Sequence, residues 1–178
     1  MQIDLKKDKL TKNERWAALL SRKPMDRTPV MGAALGFAMV NTGLSVVDFY
    51  NNPQKSYDAQ MQTMDKFGFQ DIPWIAYAAI GGWEFGGDIK WPSSEFAQAP
   101  TVLKHPVETE DDVWNLKVPD VKTAGIVPLM VEINKLVEKS GSPYMWGFVQ
   151  GPFTLAGNIS GVEKLTKWIL KNPDVAHR

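Results

Sequence analysis

Apolar positions along this chain fall into two kinds of pattern. Some repeat at helical spacing, and others form short unbroken runs. Thr11-Lys-Asn-Glu14 has the form of a capping box, in which the Thr hydroxyl and Glu carboxylate close the first backbone N–H groups of a helix. Trp16, Leu19 and Leu20 follow at helical spacing, and Pro24 stops the segment. Asn52-Pro53 predicts another helix start, with Tyr57, Met61, Met64 and Phe67 on one face and Gly68 just past the end. Thr109-Glu-Asp-Asp112 opens a short helix containing Val113, Trp114 and Leu116. A long amphipathic helix is expected over 122–139, with Ile126, Met130, Ile133, Leu136 and Val137 on its apolar side and Gly141 ending it. Val162, Leu165, Trp168 and Ile169 mark one more, and Asn172-Pro173-Asp174 starts another.

The unbroken runs are 30–35, 69–77 and 143–149. Apolar runs without alternation suit strands buried on both faces, as in a parallel sheet, although Pro73 blurs the register of the second. Residues 88–91 and 100–104 predict the arms of a small antiparallel excursion, separated from the second run by a loop holding Gly81-Gly82 and Gly86-Gly87. Buried strands alternating with amphipathic helices predict an α/β fold. The strands are few, and the order of elements reads as the N-terminal portion of a (β/α)8 TIM-type barrel with an N-terminal helix. Such barrels typically take about 250 residues. Residues 1–178 are therefore expected to form one domain, an incomplete N-terminal half of a barrel.

Composition removes several classes of function. Lys and Arg total 20 and Asp and Glu total 20, so no net charge draws the chain to nucleic acid or a membrane surface. No cysteine is present, which excludes a disulfide scaffold, a cysteine nucleophile and a thiolate metal site within these residues. The N-terminus has no apolar signal-like segment, and no run of about 18 apolar residues exists to span a bilayer. A cytoplasmic protein is expected. Seven Trp, eight Phe, eight Met and four Tyr serve core filling, and some are candidates to line a pocket for a flat or bulky ligand. The two glycine pairs lack the strand–Gly-x-Gly-x-x-Gly–helix context of a dinucleotide site.

Five stretches in order resemble the uroporphyrinogen decarboxylase family. They are NERWAALLSRKPMDRTPV before the first barrel strand, FQDI for the second strand, and HPVETEDDVWNLKVPD for a linker helix. YMWGFVQGPFTLAG resembles the family's Gly-Phe-x-Gly-x-Pro-x-Thr-Leu-Ala signature, and WILKNPDVAH the helices after it. The family holds decarboxylases and corrinoid-linked methyltransferases. In the decarboxylases an arginine-bearing segment after the first strand binds substrate carboxylates. The matching stretch here, Met31 to Phe37, has no arginine and so no fork for a carboxylate. A tyrosine four residues after the signature threonine is replaced by Asn158. The resemblance therefore implies methyl transfer between a corrinoid protein and a small-molecule acceptor, a thiol or pterin. Residues 1–178 alone are expected to be inactive. Decarboxylation of a porphyrinogen-like carboxylate, or a non-catalytic assembly module, are the alternatives.

Corrinoid and zinc are thus implied for the longer protein. No metal site is expected from these residues, whose only histidines are His105, expected exposed in a Lys-His-Pro turn, and His177, expected on the surface. Barrel sites lie at the C-terminal ends of the strands. Asp71 and Glu84 are the candidate acid/base carboxylates. Trp74, Tyr77 and Trp83 are candidates to cover a flat cofactor, or else to pack on helices. Gln150, Thr154 and Asn158 are neutral hydrogen-bonding candidates just past the third run, with helix capping the plainer role for Thr154. The apolar residues Trp146, Phe148, Val149, Trp168 and Ile169 predict an exposed face, covered by a second copy or by a missing C-terminal half.

Overall fold

The computed structural model describes residues 8–33, 35–92 and 99–178. They gather into two units: 8–75 with Leu129–Gly147, and 76–92 with 99–128 and Phe148–Arg178.

In the first unit, both halves of the Thr11 capping box form, and α1 runs Lys12–Leu20. Asn52 caps α4, Pro53–Phe67, with Pro at its first position, and Gly68 closes it in the left-handed conformation that glycine adopts most cheaply. Two further helices, α2 (Leu35–Thr42) and α3 (Val46–Asn51), occupy a stretch where no element was expected. Residues 35–40 form an apolar run too short for its periodicity to separate strand from buried helix. α3 is announced by Ser45, whose side chain accepts from the Asp48 N–H. Both helices pack on α4, burying Ala38, Met39, Phe49, Ala59 and Met64. Most of α6, Val127–Lys139, also belongs here, with Ile133 and Val137 buried.

A buried cation ties the front of this unit together. Arg15 is almost fully buried and forms a salt bridge from Nε to Asp26 Oδ1 at 2.8 Å, with Asp8 Oδ2 at 3.2 Å from its Nη2. Asp26 also accepts from the Lys9 and Leu10 N–H groups. Chiefly through the Arg15 bond, its carboxyl is held well below the usual carboxylate range.

In the second unit, β1 (Asp88–Lys90) and β2 (Thr101–Lys104) pair antiparallel, as the sequence predicted, with a bulge between Asp88 and Ile89. The Thr109 capping box opens α5, Glu110–Asn115. α7 (Pro152–Ser160), α8 (Val162–Lys171) and α9 (Pro173–His177) follow. Val107, Val113, Ile159 and Val175 form the core, with Phe85, Leu116, Leu155 and Trp168 packed against it.

The architecture is helix-rich mixed α/β, and the two-stranded sheet is the one sheet among the described residues. The three runs expected as parallel strands carry no ladder. Residues 30–33, 69–77 and 143–149 are irregular backbone, and Leu35 already belongs to α2. A strand exists by pairing, and among the described residues one backbone-to-backbone bond, Gln70 N–H to the Val30 carbonyl at 2.7 Å, joins the first two runs. Pro73 removes a donor from the second.

Candidate functional site

The second unit gathers most of the candidate side chains around the loop 77–84. Glu84 is buried, and its carboxylate collects three donors. Oε1 accepts from the Tyr77 hydroxyl at 2.9 Å and the Ile126 N–H at 3.1 Å, and Oε2 accepts from the Gly81 N–H at 2.6 Å. The backbone is shaped to allow this. Gly81 has φ +113° and Gly125 φ +46°, and a side chain at Gly125 would collide with the Glu84 carboxylate itself.

Two amide side chains converge on the same loop. Gly151 and Pro152 start α7, which places Gln150 just before the helix and Asn158 in its second turn. Asn158 Nδ2 donates to the Ala78 and Ile80 carbonyls, both at 2.7 Å. Gln150 Nε2 donates to the Ala78 carbonyl at 3.0 Å.

Thr154 takes no part in this cluster. It is exposed at the third position of α7, whose N-cap is Gly151 without a side-chain bond, so the capping role expected for it is not observed. Trp83 is half-buried and packs edge-on against Trp91 at 5.9 Å. His105 is half-buried rather than exposed, because its Nδ1 is engaged by the Asn158 backbone carbonyl at 2.9 Å. His177 is exposed, as expected.

Asp71 and Trp74 belong to the first unit. Asp71 is fully buried. Its Oδ2 accepts from the Ala33 N–H at 2.8 Å and its Oδ1 from the Ile72 N–H at 3.2 Å. Ala33 has φ +42°, a left-handed conformation that costs a residue with a Cβ roughly 1–2 kcal/mol, so Asp71 secures a strained turn. The Trp74 N–H donates to Gln60 Oε1 at 3.1 Å, and its ring lies 6.0 Å from Trp146. Tyr144, 4.7 Å from Trp16, was not singled out by sequence. Its hydroxyl is buried with no hydrogen-bond partner among the described residues, and burial, helped by the negative charge of Asp71, pushes the phenol up.

Both candidate carboxylates are thus held by neutral donors, and the neutral amides of Gln150 and Asn158 engage the loop carbonyls beside the buried Glu84. No cysteine is present, and among the described residues no group of three His, Asp or Glu side chains stands close enough to hold a metal. No described helix is long and apolar enough to cross a membrane.

A family model described as uroporphyrinogen decarboxylase (URO-D) matches residues 11–178. Among solved structures, a methyltransferase from Methanosarcina mazei is similar, with a TM-score of 0.74 at 21% identity over 94% of this chain and 50% of its own. At that identity the likeness is one of fold. The chain spans about half the length of that structure. No curated protein matches the chain.

Proposed function

The chain belongs to the uroporphyrinogen decarboxylase family, and we propose from that premise that it supplies part of the site of a methyltransferase rather than of a decarboxylase. The substrates in this reading are a methylated corrinoid as donor and a thiol or pterin as acceptor. The activity is proposed for a protein that includes the other barrel elements, since these residues span half of the similar methyltransferase.

The observation that carries the reading is the pair of neutral amides, Gln150 and Asn158, gathered at the Ala78 carbonyl. A porphyrinogen carries several carboxylates, and recognising them calls for Arg or Lys donors. Gln150 and Asn158 provide neutral polar groups instead, and the stretch Met31 to Phe37 holds no arginine. With Gln150 and Asn158 donating to the loop, their Oε1 and Oδ1 are the groups that accept from an acceptor's N–H or S–H. Glu84 and Asp71 act as positioning groups, fixing the loop 77–84 and the turn at Ala33. In the reaction a C–S or C–N bond forms as the donor's bond to its methyl group breaks, and the acceptor's proton passes to solvent.

The test is an assay of the gene's full product with methylcobalamin and a thiol, following the visible spectrum, beside an assay for carbon dioxide release from a porphyrinogen. Thiol-dependent demethylation is the expected result. Carbon dioxide release without demethylation overturns the reading in favour of the decarboxylase.

A further inference from the structure

Lys12, the first residue of α1, differs in its surroundings from five other described lysines. Lys55, Lys135, Lys164 and Lys167 form bridges to Asp48, Glu132, Glu108 and Glu163 at 3.1, 2.7, 2.5 and 2.7 Å. Lys66 donates to Asn41 Oδ1 at 2.7 Å. The Lys12 ammonium has Met64 Sδ at 3.8 Å, and no carboxylate of the described residues lies within 4.0 Å of it. Half-buried, it lines a cavity of about 390 Å³ in the first unit together with Met61, Asp65, Ile72 and Pro73.

The other polar side chains of that cavity are already engaged. Asn13 Nδ2 donates to the Gly141 carbonyl, Ser140 Oγ to the Val137 carbonyl, and Ser142 Oγ to the Tyr144 carbonyl. Thr11 is used by the capping box. What remains is one amine, one nearby carboxylate at Asp65, and an apolar lining. Loss of hydration disfavours the ammonium and lowers the Lys12 pKa, with Asp65 and Asp71 pulling the other way.

We propose that Lys12 is a site of Nζ-acylation by a small acyl phosphate, whose acyl group enters this cavity. The neutral Nζ attacks the carbonyl carbon. An N–C bond forms as the C–O bond to phosphate breaks, the phosphate leaves with that electron pair, and the surplus ammonium proton passes to Asp65 or water. The product is an uncharged amide, and its acyl chain has Met61, Ile72 and Pro73 to lie against. Acylating Lys12 breaks no ion pair, whereas acylating any of the four bridged lysines costs its bridge.

The experiment treats the purified chain with acetyl phosphate at pH 7 and pH 9 and quantifies each site by peptide mass spectrometry. Lys12 is expected to react several-fold faster than the exposed Lys23, Lys117 and Lys122 at pH 7, with the advantage narrowing at pH 9 and vanishing in urea. Equal rates at pH 7, or a preference that survives unfolding, overturns the proposal. As a second measurement, Lys12→Gln is expected to leave the thermal midpoint unchanged or raised. A fall in that midpoint shows that the ammonium is needed and likewise overturns it.

Discussion

Residues 69–77 and 143–149 are runs of similar character, and they end up in opposite circumstances. Both are largely apolar, both follow a helix closed by a glycine, and both hold or lead into a candidate site residue. In the first run, Gln70, Asp71, Ile72, Ile75, Ala76 and Tyr77 are buried. Its polar atoms are matched one by one: the Trp16 indole donates to the Gln70 carbonyl, Gln60 accepts from Trp74, and Glu84 takes Tyr77. In the second, Met145, Trp146, Phe148 and Val149 are all exposed, and the Trp146 carbonyl accepts from the half-buried Asn134 at 3.2 Å. The pattern of an apolar run states that the residues gain by burial. It does not supply the surface that buries them. For 69–75 that surface includes α1 and α4; for 145–149 most of it is absent among the described residues.

The largest test of this contrast is a pair of truncations. Ile72 is 2% exposed and Val149 90%. Ile72→Ala should lower unfolding free energy by about 3 kcal/mol in urea titration, the usual cost of emptying a buried aliphatic site. Val149→Ala should change it by less than about 0.5 kcal/mol. Comparable losses would erase the distinction between the runs.

Next in size is Glu84→Ala. It strands the Tyr77 hydroxyl and the Gly81 and Ile126 N–H groups, at roughly 2 kcal/mol in total if water reaches part of the gap. Hydrogen exchange should accelerate at Gly81 and Ile126 and not at Ala33, whose N–H belongs to Asp71. Unchanged exchange at Gly81 would mean that the carboxylate is not what holds the loop.

A smaller effect appears with acid. Arg15, which donates to both Asp26 and Gln70, links the buried run to a carboxylate whose folded pKa is depressed. A depressed folded pKa adds stability that is fully present above the unfolded value, about 3.9, and is lost as pH falls through the folded value. Stability should therefore decline below about pH 4, and Asp26→Asn should flatten that decline while lowering stability at pH 7. An Asn variant with the wild-type acid profile would assign the decline to other carboxylates.

Much of this was open to reading in the sequence, and the parts that were not share a cause. Thr11-x-x-Glu14, Thr109-x-x-Asp112 and Asn52-Pro53…Gly68 specify helix ends because cap and capped group lie within a few residues. Gln150 and Asn158 were identifiable as neutral groups beyond an apolar run, yet what they hold are the Ala78 and Ile80 carbonyls, some 70 to 80 positions away and carrying no side-chain signature. The engagement of His105 by the Asn158 carbonyl was hidden in the same way. Asp71 stood out as a carboxylate, but its partner is the N–H of Ala33 in a left-handed turn that alanine seldom adopts. Helix α2 was missed where apolar residues run too densely for any period to show, and α3, only six residues long, was missed although Ser45 caps it.

The smallest expected effect on stability is that of Val149→Lys, and it sharpens the comparison most. At a position 90% exposed, a lysine stem has water on nearly every side, so the folded chain should tolerate it within about 0.5 kcal/mol. The consequence differs if the run is an association surface, because seating a lysine against an apolar partner strips its hydration. Sedimentation velocity at rising concentration separates the cases. If copies of the chain associate through this run, the variant should remain smaller than wild type at the highest concentrations while unfolding at the same urea midpoint. If both proteins sediment alike, the run is not where copies meet. If instead the midpoint falls as far as for Ile72→Ala, Val149 is buried in solution, and the two runs differ less than their surroundings in this structure indicate.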